Sequence, residues 1–184
     1  MNDANDVRLF ESQMAMYTSY HRDLRNRATH FVGIPAIMVS LMVVLAPLRL
    51  AVGGMDLSWA VAMTATAFVL WLLLDAAIGA AMAVFLVPTL AAAETLAAVS
   101  STATILIVFA VLFVGGWSLQ ILGHFYEGRR PAFLSNLFQA LIGPMFLVAE
   151  IFFALGWRRR LQQRVESLVR EQYPEYANSR PAKK

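Results

Sequence analysis

Between Leu57 and Ala93 lie 37 residues with a single formal charge, Asp75. Wound as one helix they would reach about 55 Å at 1.5 Å per residue, nearly twice the hydrocarbon thickness of a bilayer. The run is therefore expected to form two spans that turn near Asp75 to Gly79. Apolar sequence continues on both sides. From Phe31 to Leu122 the formal charges are Arg49, Asp56, Asp75 and Glu94, and further apolar runs cover about Phe31 to Leu48, Thr95 to Leu122 and Phe138 to Gly156, the last interrupted by Pro144. Composition agrees, with 59% of 184 residues hydrophobic and 15% charged, against roughly 45–50% and 25% in soluble domains. The expected fold class is all-α, a polytopic integral membrane helical bundle with four to five apolar segments and interfacial helices at both ends.

One helical membrane domain is expected over 1–172. Its parts are an interfacial N-terminal region (1–30), a membrane bundle (31–156) and an amphipathic C-terminal helix (157–172), followed by a disordered tail (173–184). In the first part Leu9, Phe10, Met14 and Tyr17 recur at helical spacing, and in the third Leu161, Val165, Leu168 and Val169 share one face, which suits a membrane surface. Arg8, Arg22, Arg25 and Arg27 precede the first span, and Arg158, Arg159, Arg160 and Arg164 follow the last. The positive-inside rule then puts both termini in the cytoplasm. That requires an even number of crossings, so with five segments one is re-entrant or does not cross. The first residues, MNDANDVRLFESQM, have no apolar core and no cleavage site, so no signal peptide is expected. The bacterial cytoplasmic membrane is the expected location, or the endoplasmic reticulum in a eukaryote. The net charge of +3 follows from arginines flanking spans, so the expected partner is the lipid bilayer and not nucleic acid.

The chain has no cysteine, which excludes disulfides, thiolate metal sites and cysteine nucleophiles and leaves His, Asp, Glu or amide groups as metal ligands. It has no Gly-rich phosphate loop and no GxSxG elbow. The methionines are assigned to packing. All three histidines lie in two polar islands, His21 and His30 in SYHRDLRNRATHFVGIP and His124 in LQILGHFYEGRRPA. On a straight helix His21 and His30 would point to opposite faces about 13.5 Å apart along the axis. A shared ion therefore needs a break between them, which Asp23 or Asn26 would supply as the N-cap of a new helix. His124 and Glu127, three apart, share a helix face. A nitrogen and carboxylate set of this kind suits Fe(II) and leaves coordination positions open. The competing reading is that the histidines only hydrogen-bond to backbone or headgroups. Arg129 and Arg130 read as a topology signal, or one of them as the partner of a substrate carboxylate. Asp75, Glu94 and Glu150 lie in or near apolar runs, where ionisable groups are costly. Glu94 also fits a span end, and Glu150 fits burial against polar partners.

The two islands together resemble the membrane family of the yeast 2-hydroxy fatty acid dioxygenase. The resemblance rests on Tyr20-His21, Asn26, His30 and Pro35, and then on Trp117, Gln120, Gly123-His124, Glu127, Arg129-Arg130-Pro131-Ala132, Asn136-Leu137, Gln139, Pro144, Phe146, Glu150 and Leu155-Gly156. It covers about residues 17 to 157. Some members carry a second histidine and a proline just after the first histidine, where this chain has Arg22 and Leu24. The resemblance implies an Fe(2+)-dependent dioxygenase of fatty acid α-oxidation, acting on a 2-hydroxy fatty acid and O2. Its products would be CO2 and an acid one carbon shorter. It further implies His21, His30 and His124 as iron ligands, and Glu127 as a ligand or as the partner that orients His124. Arg129 or Arg130 would meet the carboxylate, and Asn26 would cap the helix bearing His30 or hydrogen-bond into the site. Two other classes compete: a non-enzymatic scaffold or lipid-binding protein, and a small proton-coupled transporter using Glu150 and Asp75. If the three histidines lay more than about 10 Å apart, a shared metal would be untenable.

Overall fold

The computed structural model describes residues 8–130 and 136–177. In chain order it contains α1 (Leu9–Ser19), α2 (Leu24–Leu45), β1 (Arg49–Val52), β2 (Met55–Ser58), α3 (Trp59–Leu74), α4 (Ala76–Val99), α5 (Thr102–Glu127), α6 (Gln139–Ala154), α7 (Arg159–Gln172) and α8 (Pro174–Ala177). The class is all-α as expected, with one addition. The polar stretch after the first span is an antiparallel hairpin, pairing Arg49 with Ser58 and Val52 with Met55.

Among the described residues three helices, α2, α4 and α5, are long and apolar enough to cross a membrane. The apolar α3 is shorter, and α6 with α7 forms a pair bent by 118° at the break between them. The expected turn in the long apolar run falls at Asp75, whose extended backbone ends α3 and whose carboxylate accepts the Ala77 and Ile78 amides of α4. An N-cap of this kind satisfies donors that lipid would leave unpaired. Gly79 lies so close to the Trp71–Leu72 backbone that a side chain there would collide with it (2.7 Å). The last apolar run behaves differently from expectation. α6 runs through Pro144 without interruption, and the break comes at Gly156. There the Trp157 and Gly156 amides close back on the Phe152 and Phe153 carbonyls (2.7 and 3.0 Å). This paired closure needs a left-handed residue, which Gly156 supplies at φ +74°.

The chain forms two compact units, one of residues 1–30 with 121–184 and one of 31–120. In the second, α3 and α4 pack together, Arg49 pairs with Asp56 and Glu94 (3.3 and 3.0 Å), and Ser58 donates to Glu94. Large side chains such as Val84, Val99, Val111 and Leu73 stand exposed, as lipid-facing residues would. In the same unit α2 and α5 approach closely at Gly33 and Gly116, where an added Cβ would lie 2.9 Å from the opposing glycine's carbonyl oxygen.

In the first unit α1 packs against both α6 and α7. Phe10, Met14, Ala15 and Tyr17 of α1 are buried, so the apolar face of this helix is covered by protein. The apolar face of α7, Leu161, Val165, Leu168 and Val169, is also buried in the protein, where the sequence reading placed it on a membrane surface. α1 covers it, with Arg164 of α7 on Glu11 (2.9 Å). Of the tail expected to be disordered, Pro174–Ala177 form one helical turn, and 178–184 lie outside the described residues.

Candidate metal centre

The break between His21 and His30 is a four-residue turn, Tyr20–Asp23, between α1 and α2. Asp23 accepts the Arg25 amide (2.8 Å) and so caps α2, which starts seven residues before the expected span. The Arg25 side chain bonded to it holds the Asp23 carboxyl below the usual carboxylate range. His21 thus sits in the turn and His30 in the second helical turn of α2. His124 lies in the last turn of α5, which closes at Gly128 (φ +71°). The Arg129 and Gly128 amides bond there to the His124 and Phe125 carbonyls (both 3.2 Å). Gly123 makes this approach possible, since a Cβ on it would overlap Asn26 Oδ1 and Thr29 Oγ1.

All three imidazoles are buried, and one donor nitrogen from each falls within 4.8 Å of the others. Their planes cross steeply, at 74°, 68° and 83°. Hydrogen bonding fixes two of the tautomers. His21 Nδ1 lies 2.7 Å from the Tyr17 carbonyl and His30 Nδ1 lies 2.9 Å from the Asn26 carbonyl. A carbonyl only accepts, so both Nδ1 atoms carry the proton and each Nε2 presents a lone pair. Those two Nε2 atoms are 3.1 Å apart and, in the neutral rings, share no proton. Burial, and next the neighbouring His30, push His21 well below its ordinary pKa of 6.5, so its neutral form is favoured. His124 Nδ1 is buried with no hydrogen-bond partner. Facing lone pairs and an orphaned nitrogen are costly without a cation.

These donors fit a divalent first-row metal. Two nitrogens on one ion at about 2.1 Å stand about 3.0–3.4 Å apart, depending on the angle between the bonds. The His21–His30 pair is already at that spacing (3.1 Å), while sharing the ion with all three rings requires the widest separation, up to 4.8 Å, to close by roughly 1.5 Å. Backbone carbonyls on the Nδ1 atoms are the usual outer partners of metal-binding histidines. Tyr17 stacks on His21 with centroids 4.0 Å apart, and Phe146 lies 5.7 Å from the same ring.

Glu127 departs from expectation, being neither in this cluster nor bonded to His124. Its Oε1 accepts the Arg22 amide (3.0 Å), and its Oε2 accepts the Asp23 amide (2.9 Å) and the Asn26 side chain (3.0 Å). Three residues from His124 on a helix it shares that histidine's face, but its carboxylate reaches across to the turn. Asn26 bonds Glu127 and the Tyr20 carbonyl (3.3 Å) through its amide, and its own carbonyl receives His30; its side chain does not cap α2. Arg129 donates to the Ser19 carbonyl (2.8 Å) and stacks on Tyr176 (3.3 Å), so it holds α1 and α8. Arg130 is exposed.

Sequence reasoning missed Arg27. It donates to the His21 carbonyl (2.8 Å) and pairs with Glu150 (2.7 Å). This is where the half-buried Glu150 finds its polar partner, whereas Asn136 and Gln139 bond to Gln13 instead. Arg22, the residue after His21, binds Glu166 of α7 (3.0 Å). The one available signal was the pairing of an intramembrane acid with arginines flanking the first histidine.

A curated protein of Saccharomyces cerevisiae named 2-hydroxy-palmitic acid dioxygenase MPO1 is 44% identical over 57 residues, which is 30% of this chain and 33% of the yeast protein. No solved structure matches the chain. Residues 7–155, which include all three histidines, match the family described as 2-hydroxy-palmitic acid dioxygenase Mpo1-like, and the chain belongs to that Mpo1-like family.

Proposed function

We propose that the protein is an Fe(II)-dependent dioxygenase that cleaves 2-hydroxy fatty acids to CO2 and the acid one carbon shorter. The reading is carried by one observation, the buried convergence of His21, His30 and His124 with two Nε2 lone pairs facing each other. Family membership supplies the substrate class. His21, His30 and His124 would hold the metal, a set of three neutral ligands that leaves positions open. When bound, Fe(II) supplies sites for the substrate's hydroxyl and carboxylate and the redox chemistry that lets O2 react. The balance is closed: the C1–C2 bond breaks, C1 leaves as CO2, C2 becomes the new carboxyl carbon, and one water forms. O2 takes up the four electrons, so no external reductant enters the stoichiometry.

The chain's own residues do the rest. The Tyr17 and Asn26 carbonyls keep the Nδ1 protons on His21 and His30, so the Nε2 lone pairs stay directed at the ion. Tyr17 and Phe146 cover His21 and keep water from it. Arg130, exposed beside the last turn of α5, is assigned to the substrate carboxylate, since Arg129 is engaged with Ser19 and Tyr176. Apolar helices around the site would receive the acyl chain. We place the arginine-rich ends on the cytoplasmic side.

The transporter reading finds its two acids occupied, Asp75 in capping α4 and Glu150 in pairing with Arg27. The deciding experiment is anaerobic purification with metal analysis, then addition of O2 and a 2-hydroxy fatty acid. Stoichiometric iron and one shortened acid per O2 are expected. Absence of iron under these conditions would favour the scaffold reading.

A further inference from the structure

Glu127 is the last residue of α5, a place where a carboxylate opposes the helix dipole. It is half-buried among polar groups, and each of its oxygens accepts a hydrogen bond. The donors are unusual. A carboxylate that merely capped α2 would take the first amides inside that helix, but Asp23 already does so through Arg25. Glu127 takes the Arg22 and Asp23 amides, which belong to the turn directly after His21, and the side chain of Asn26. The Asn26 carbonyl in turn receives the His30 Nδ1 proton (2.9 Å), and Glu127 itself follows His124 by one helical turn. One carboxylate thus ties together the three backbone segments that carry the three histidines.

We infer that Glu127 is a positioning residue for the metal site, fixing His21 and His30 relative to His124 through the Tyr20–Asp23 turn and Asn26, without touching the metal. The inference rests on the metal reading proposed above. Its charge and length both matter. Glutamine in its place keeps one acceptor oxygen but turns an NH2 group toward backbone N–H groups that need an acceptor. Loss of such outer partners typically lowers metal affinity 10- to 100-fold.

The test uses the full chain in detergent, stripped of metal and titrated with Co(II), read by its visible absorption and by the rise in Tm on loading. Wild type should bind one Co(II), and His124→Ala should bind none with comparable affinity. Glu127→Gln is expected to bind about 10- to 100-fold more weakly, with an altered Co(II) spectrum and a smaller rise in Tm. A merely structural role would lower the metal-free Tm and leave affinity and spectrum at wild-type values, and that result overturns the inference. Should Glu127→Gln fail to fold, Glu127→Asp keeps the charge but falls short by one methylene, and wild-type Co(II) affinity in that variant is equally contrary. If the wild-type protein binds no Co(II), the metal reading itself fails and takes this inference with it.

Discussion

Gly123→Ala tests whether close approach of α2 and α5 assembles the site. The added Cβ would overlap Asn26 Oδ1 and Thr29 Oγ1 and stand 3.2 Å from His30 Nδ1. Thr29 has room to yield, since its hydroxyl makes one bond, to the Asn26 carbonyl (2.8 Å). Asn26 does not, because its amide is pinned by Glu127 and by the Tyr20 carbonyl. Relief therefore falls on the backbones, which must part by on the order of 1 Å to restore ordinary contact, at about 1–3 kcal/mol. The widest donor separation, up to 4.8 Å, already needs to shorten for one ion to be shared. At about 1.4 kcal/mol per factor of ten, the strain corresponds to a loss of metal affinity of about 5- to 150-fold. The assay is metal titration beside thermal melting. Gly115→Ala serves as the control, because a Cβ there meets nothing within 4 Å and alanine favours a helix by about 1 kcal/mol. If Gly123→Ala binds metal as wild type does, the argument that this glycine sets the histidine spacing is wrong.

Three further outcomes follow from other contacts. Glu150→Gln leaves the half-buried Arg27 guanidinium without its counter-charge and should lower stability by about 1–3 kcal/mol, most of it recovered in the Arg27→Met/Glu150→Leu double variant; additive losses in melting experiments would refute the pairing. Because His21 in the folded protein lies well below 6.5, the unfolded chain takes up a proton below that pH and the folded one does not. Stability of the metal-free protein should therefore be insensitive to this group above about 6.5 and fall below it, approaching about 1.4 kcal/mol per pH unit; a Tm that rises on acidification from about pH 7 to about pH 5.5 would contradict the burial argument. Arg130→Ala should raise KM for a 2-hydroxy fatty acid about tenfold, as loss of one charge-assisted contact does, with metal affinity unchanged, and an unaltered KM would remove it from carboxylate recognition.

Much of this architecture was legible because lipid leaves few choices. The long apolar run had to turn, and Asp75, its single formal charge, was able to cap what followed. Asp23 was likewise readable as the start of a new helix, which brought His21 back toward His30. Other features depended on contacts that spacing does not encode. Glu127 shares a face with His124, but its carboxylate answers to amides of a turn more than a hundred residues earlier in the chain. Pro144 looked like the interruption of the last run, yet the apolar helix tolerates it and the left-handed Gly156 makes the break. The amphipathic face of α7 reads the same whether lipid or protein covers it, and only the position of α1 settles which. Arg27 looked like one more topology arginine until its partners, Glu150 and the His21 carbonyl, were in view.

The central claim is that three neutral histidines hold a catalytic iron. Its most direct test is anaerobic iron analysis of wild type and His124→Ala, followed by single-turnover oxidation of a 2-hydroxy fatty acid labelled at C1. The account predicts about one Fe(II) per wild-type chain, labelled CO2 with the shortened acid, and neither iron nor product in a folded His124→Ala protein. Full turnover by a folded His124→Ala protein, or a metal-free wild type that releases labelled CO2, would contradict it.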